Sequence, residues 1–140
     1  MQTQLTQRQL NHLTYEIIGA AIDVHKQLGP GLLEQVYEVC LIHELQRRQL
    51  NVCHKQQVPI LYKGCKLETL LRLDILVEDC IVVEIKSVEK MQPVFEAQLL
   101  TYMNLLEKPK GILLNFYCTN IFREGQKTLV NEVFRALPKE

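Results

Sequence analysis

Tryptophan is absent from this 140-residue chain, and glycine and proline are sparse, at six and five. No linker or low-complexity tract can be built from so few, and the composition is that of an ordinary soluble globular protein. Net charge is missing too, because sixteen Lys and Arg balance sixteen Asp and Glu. A polyanionic partner therefore has no global attraction to exploit, and any nucleic-acid contact needs a local basic patch. The cysteines, at 40, 53, 65, 80 and 118, include no Cys-x-x-Cys pair, so a zinc ribbon or a redox dithiol is unsupported. An odd, scattered set within apolar segments is expected to be buried free thiols in a reducing compartment. No apolar run reaches bilayer-spanning length, and no glycine-rich stretch offers a phosphate cradle. The opening MQTQLTQRQLNHL lacks an apolar h-region, so the expectation is a cytoplasmic protein with no signal peptide and no membrane partner.

What is present fits one domain over residues 1–140, with 1–12 flexible or weakly ordered. Residues 13–28 carry Ile17, Ala21, Val24 and Leu28 at helical spacing and stop at Gly29-Pro30-Gly31. A second helix is predicted over about 32–50, with Tyr37, Leu41 and Leu45 as its apolar stripe and Glu38 off it. The period then falls from 3.6 to 2. Strands are predicted over 57–62, 66–77 and 81–87, an antiparallel meander whose first member Pro59 assigns to an edge. A helix from Pro93 to about 106 leads into the apolar run 111–117, which reads as a strand covered on both faces. Residues 81–117 then form a βαβ unit, and 127–134 add an edge strand. The order is ααβββαβ(β).

Several polar residues interrupt these apolar segments. In LLRLDILVEDCIVVEIKSVEK, residues 70–90, Asp74, Glu84 and Lys86 lie inside runs that otherwise belong to a core. Asp74 meets Glu84 across a hairpin only if paired residue numbers sum to an even value, as a three-residue loop at 78–80 provides; a one-residue slip puts them on opposite faces. Glu34 falls on the apolar stripe of its helix, and Gln98 and Tyr102 stand at i, i+4 on the third helix. Each has an ordinary explanation: a solvated hairpin face, a carboxylate favoured in the first helical turn, an amide and a phenol capping nearby backbone. Together they converge on one end of one sheet. Carboxylates on neighbouring strands with a lysine two residues after the second suit Mg²⁺ or Mn²⁺, hard cations that keep waters and bind phosphate oxygens. The ammonium is then placed to orient a water or to stabilise developing negative charge.

These residues resemble the Asp…Glu-x-Lys core of the PD-(D/E)XK nuclease superfamily, whose restriction-endonuclease-like fold has an αβββαβ core and a mixed central sheet flanked by helices. GLLEQVY, residues 31–37, is similar to the Gly-x-x-Glu-x-x-Tyr motif of a group of small proteins within it, and AIDVHKQLGPG and EAQLLTYMNLL resemble the same group. The resemblance implies a Mg²⁺- or Mn²⁺-dependent nuclease acting on nucleic acid, DNA ahead of RNA. By it Asp74, Glu84 and the Ile85 backbone carbonyl are metal ligands, Lys86 is the catalytic lysine, and Glu34 is an added helical acid. Gln98 and Tyr102 are similar to the Gln-x-x-x-Tyr motif of RecB-like nucleases, which support the lysine and contact DNA. The cysteine spacing of iron–sulfur relatives is missing, so no cluster is expected. Leu73 stands where the motif's name has Pro.

Arg47, Arg48, Lys55, Lys63, Lys66 and Arg72 form the candidate nucleic-acid patch, with ordinary surface charge as the other reading. His25 sits before the Gly-Pro-Gly turn, where a cation favours a helix C-terminus. The alternative function is a non-catalytic nuclease-fold binding or assembly module in a nucleic-acid-processing complex. A metal-dependent hydrolase of small phosphorylated molecules ranks last. A homodimer is expected to double the grip of so small a chain.

Overall fold

The structure is a computed structural model and describes residues 4–140. The first helix, α1 (Gln7–Leu28), starts a turn and a half earlier than its apolar stripe suggests. Thr6 and Gln9 form a capping box: the Gln9 N–H donates to Thr6 Oγ1 at 3.1 Å and the Thr6 N–H to Gln9 Oε1 at 3.0 Å. Leu10, seven residues before Ile17, is fully buried. The expected weakly ordered segment 1–12 is thus replaced by helix from Gln7 on, and its first three residues lie outside the described part.

Gly29 and Gly31 take φ of +70° and +100°, the left-handed region that glycine enters without cost, so the chain turns back into α2 (Glu34–Arg47). Tyr37 closes this loop, donating from its hydroxyl to the Gly29 carbonyl at 2.5 Å and accepting the Leu32 N–H at 3.1 Å. Arg48, just past α2, fastens the two helices together. Its guanidinium meets Asp23 at 2.7 Å, Glu16 at 3.0 Å and Glu44 at 3.3 Å. A side chain at Gly19 would place its Cβ 3.0 Å from the same guanidinium. Arg48→Ala leaves Glu16 and Asp23 without their cation and is expected to cost about 1–2 kcal/mol in urea unfolding.

The central sheet has the order β1-β4-β5-β6-β7, formed by β1 (Val52–His54), β4 (Ile75–Val77), β5 (Ile81–Lys86), β6 (Lys110–Asn115) and β7 (Gln126–Val130). Only β5 and β6 are parallel, joined through α3 (Pro93–Leu105), so the sheet is mixed. Helices cover both faces. Ile17, Tyr37, Leu41, Val83, Ile85 and Phe116 pack on the α1/α2 side, and Leu73, Leu76, Val82, Leu99, Met103 and Leu113 on the α3 side. A Cβ at Gly111 would fall 2.6 Å from Met103 Sδ, so α3 lies directly on β6. β7 stops at Val130 because Asn131 caps the short helix α5 (Glu132–Arg135); another short helix, α4 (Ile121–Glu124), precedes β7.

The αβββαβ core is present as α2-β1-β4-β5-α3-β6, but its first strand differs from the expected 57–62. That segment yields only β2 (Ile60–Tyr62), which pairs with β3 (Cys65–Leu67) in a separate two-stranded sheet. Pro59 has no N–H to donate and separates β2 from β1. The predicted strand 66–77 is broken as well. Thr69 Oγ1 donates to the Val58 carbonyl and accepts the Leu71 N–H, satisfying the backbone locally and bending the chain between β3 and β4. Expected thiol burial holds for Cys80 alone: Cys40 and Cys118 are half-buried, Cys53 and Cys65 exposed, and all five are unpaired. Among the described residues no helix is long and apolar enough to cross a membrane.

Candidate functional site

The β4–β5 register pairs Ile75 with Val83, Leu76 with Val82 and Val77 with Ile81, so the loop is 78–80 and the sum is even. Glu78 and Asp79 take φ of +50° and +56°, and the Cys80 N–H donates back to the Val77 carbonyl at 3.0 Å, which closes the turn at this length. One step beyond the ladder, Asp74 therefore stands opposite Glu84. The two carboxylates brace each other's strand. Asp74 Oδ2 accepts the Ile85 N–H at 2.8 Å, and Glu84 Oε2 accepts the Asp74 N–H at 3.2 Å.

Glu84 is buried, 7 % exposed, in the middle of β5. Burial first, and then the hydrogen bond and charge of Asp74, hold its carboxyl well above the ordinary carboxylate range; Lys86 offsets part of this. Tyr102 reaches the same place from α3. Its phenol is pushed up by burial and then by the charge of Glu84, while Gln98 Nε2 donates to its hydroxyl at 2.9 Å. Lys86 is half-buried, with Nζ 4.5 Å from the centre of the Phe95 ring and, among the described residues, no carboxylate within 4.0 Å. A desolvated cation over an aromatic face is held without being neutralised.

The helical acid needs correction. Glu34, expected to face the core, is exposed at the start of α2, where its carboxylate accepts the Ser87 N–H at 3.4 Å, one residue past Lys86. The buried carboxylate of α2 is Glu38, 6 % exposed. Its Oε2 accepts a hydrogen bond from Lys55 Nζ at 3.1 Å, and the same ammonium stands 3.6 Å from Asp74 Oδ1. Burial raises the Glu38 pKa, Lys55 counters, and Asp74 adds to the rise. Burial opposes the charge on Lys55, but the hydrogen bond to Glu38 and the two carboxylates outweigh it and raise its pKa. The signal for Glu38 was in the sequence: a buried helix face is 100° wide or more, so the position next to Tyr37 belongs to it.

Among the described residues no three His, Cys, Asp or Glu side chains already stand in ligating geometry. The donor set nevertheless suits a hard divalent cation. Asp74, Glu84 and the Ile85 carbonyl would offer oxygens to such an ion, which binds oxygen ligands and retains water. The Lys55 ammonium drawn between Glu38 and Asp74 marks a locale where a cation is favoured. His25 stays outside: its ring lies 6.2 Å from Phe116, and its buried Nε2 has no partner among the described residues.

The basic patch divides. Arg48 is taken up by Glu16, Asp23 and Glu44 and so leaves it, while Arg47 lies exposed 3.8 Å from Glu44. Lys55, Lys63, Lys66 and Arg72 are exposed on the β segments running from β1 to β4. Every residue named at this site falls within 11–128, the span matched by the family model of the PD-(D/E)XK nuclease superfamily. No curated protein and no solved structure matches the chain.

Proposed function

Because the chain belongs to the PD-(D/E)XK nuclease superfamily, we propose that it hydrolyses phosphodiester bonds in nucleic acid, DNA ahead of RNA, with Mg²⁺ or Mn²⁺. The observation that carries this reading is the braced pair of half-buried Asp74 and buried Glu84, facing each other across β4 and β5 with Lys86 and Tyr102 nearby. Asp74, Glu84 and the Ile85 carbonyl would hold the cation. When bound, it lowers the pKa of a water and neutralises charge on the phosphate.

The remaining roles belong to side chains. Lys86, charged and free of ion pairs, orients the attacking water and stabilises the oxygens that gain negative charge. Phe95 keeps its ammonium at the edge of the site until a phosphate draws it in. Gln98 fixes the Tyr102 hydroxyl on the α3 side of the carboxylates. Glu38 holds Lys55 beside Asp74 and accepts a proton where one is released.

Membership of the Gly-x-x-Glu-x-x-Tyr group is part of the same proposal and has a physical rationale. Gly31 supplies the left-handed turn and Tyr37 ties the loop shut, so Glu34 begins α2 against Ser87. The motif shapes the entrance to the site.

Titration calorimetry with Mn²⁺, followed by cleavage assays on single-stranded, double-stranded and RNA substrates, tests the reading. Saturable binding with cleavage supports it; binding of nucleic acid with no Mn²⁺ binding and no turnover would leave the non-catalytic module in its place. Glu38→Gln is expected to weaken Mn²⁺ binding by about tenfold, since it frees the group that positions Asp74. Unchanged affinity would limit Glu38 to a structural pairing with Lys55.

A further inference from the structure

The chain between β1 and β4 is more than a connection. The Lys55 N–H donates to the Asp74 carbonyl at 3.0 Å, the Leu73 N–H to the Gln56 carbonyl at 3.0 Å and the Val58 N–H to the Leu71 carbonyl at 2.8 Å. Gln57 and Arg72 form an antiparallel bridge. The β1–β4 ladder thus continues past the carboxylates, bends at Thr69 and ends in the β2–β3 hairpin. At about 3.3 Å per residue, the path from Lys55, beside Asp74, to the tip at Lys63 is at most about 26 Å long.

This ribbon has a character the rest of the chain lacks. Between 57 and 73 it carries Lys63, Lys66 and Arg72 against one carboxylate, Glu68, within a molecule of zero net charge, while Lys55 at its base is paired with Glu38 and Asp74. Its distal side chains are in solvent: Tyr62 is 58 % and Leu61 66 % exposed, and Leu70, at the bend, 92 %. Lys63 stands in the turn, with Nζ 5.5 Å from the centre of the Tyr62 ring, and Lys66 lies on β3 opposite Leu61. Gly64 has φ of +78° and open space where a Cβ would be, so the turn is tight.

Cations spaced along a backbone, with an exposed aromatic among them, fit a single nucleic-acid strand: phosphates meet the ammonium groups and an unpaired base stacks on the ring. A duplex hides its base faces and has no use for Tyr62. We propose that the β2–β3 ribbon is a guide for an unpaired strand, leading it to the carboxylate site, with Tyr62 as the stacking residue and Lys63 and Lys66 as phosphate contacts. The proposal deepens the nuclease reading and rests on it for the identity of the ligand.

The test is fluorescence anisotropy in EDTA, which stops turnover, with labelled oligo(dT), oligo(U) and a blunt duplex. The wild type is expected to bind the single strands more tightly than the duplex. Tyr62→Ala weakens single-strand binding by about five- to a hundredfold. Lys63→Ala/Lys66→Ala flattens the salt dependence by about 1.4, at about 0.7 per phosphate contact. Circular dichroism shows that both remain folded. Wild-type affinity and salt slope in both variants overturn the proposal. So does a Tyr62→Ala effect on self-association alone in sedimentation, because a second copy then covers this face. Wild-type hydrolysis of a small chromogenic phosphodiester reports the chemistry separately. Ribbon-dependent binding without hydrolysis retains the guide and removes the nuclease; hydrolysis with ribbon-independent binding does the reverse.

Discussion

Asp74→Asn is expected to remove specific Mn²⁺ binding and bring cleavage to background, whereas Lys86→Ala costs about 10²–10³ in rate and leaves Mn²⁺ affinity unchanged. The two substitutions separate holding a cation from stabilising charge. Asn keeps an oxygen to accept the Ile85 N–H, so the brace at 2.8 Å survives and only the charge is lost. The Lys55 contact that disappears is 3.6 Å long to a half-exposed ammonium, worth about 0–1 kcal/mol. Loss of activity in Asp74→Asn is therefore a loss of ligand and not of fold. Lys86 touches neither carboxylate, and its ammonium sits over Phe95, so its removal leaves the donor oxygens where they are. Calorimetry together with single-turnover cleavage makes the comparison. Wild-type Mn²⁺ affinity in Asp74→Asn would remove Asp74 from the ligand set, and wild-type cleavage in Lys86→Ala would remove Lys86 from the chemistry.

The parts of this arrangement legible in the sequence are those set by short-range periodicity. Alternation in β5 places Glu84 and Lys86 on one face, and the three-residue loop 78–80 sets the register that brings Asp74 opposite. The Gly-Pro-Gly stop and Pro93 define helix ends for the same local reason. What was hidden depends on long-range partners. Val52–His54 is too short to announce itself by alternation and becomes a strand only because β4 offers an edge. Glu38, which the width of a buried helix face could have included, has a partner that periodicity does not show, Lys55, seventeen residues on. Arg48 reads as a surface cation until α1 brings Glu16 and Asp23 to it across more than twenty residues of chain. Leu61, Tyr62 and Leu67 alternate with cations as any hairpin might, and only the separate pairing of β2 with β3 takes them away from the core.

The carboxylate pair also determines how stability responds to pH when no divalent cation is supplied. Glu84 has a folded pKa well above its unfolded value, so over the interval between them the folded chain holds a proton that the unfolded chain has released. Unfolding free energy then falls as pH rises, by at most about 1.4 kcal/mol per unit for one group. Below the unfolded pKa both states are protonated and this contribution is flat. Glu38, also raised by burial, tilts the curve the same way. Lys110 has a depressed pKa and acts oppositely, but toward alkaline pH, where folded Lys110 loses its proton before unfolded lysine does. Urea unfolding in EDTA between about pH 6 and pH 8 is therefore expected to show stability decreasing with pH. Glu84→Gln, which keeps an oxygen to accept the Asp74 N–H but cannot ionise, should flatten the slope. Mn²⁺ should flatten or reverse it in the wild type, because the cation binds the deprotonated pair and its stabilisation grows as protons leave. A slope that Glu84→Gln leaves unchanged would mean that the ionisation of Glu84 is not coupled to folding. A slope that Glu84→Gln abolishes but Mn²⁺ does not alter would mean that the pair is a buried structural brace, and the metal-dependent reading would fall with it.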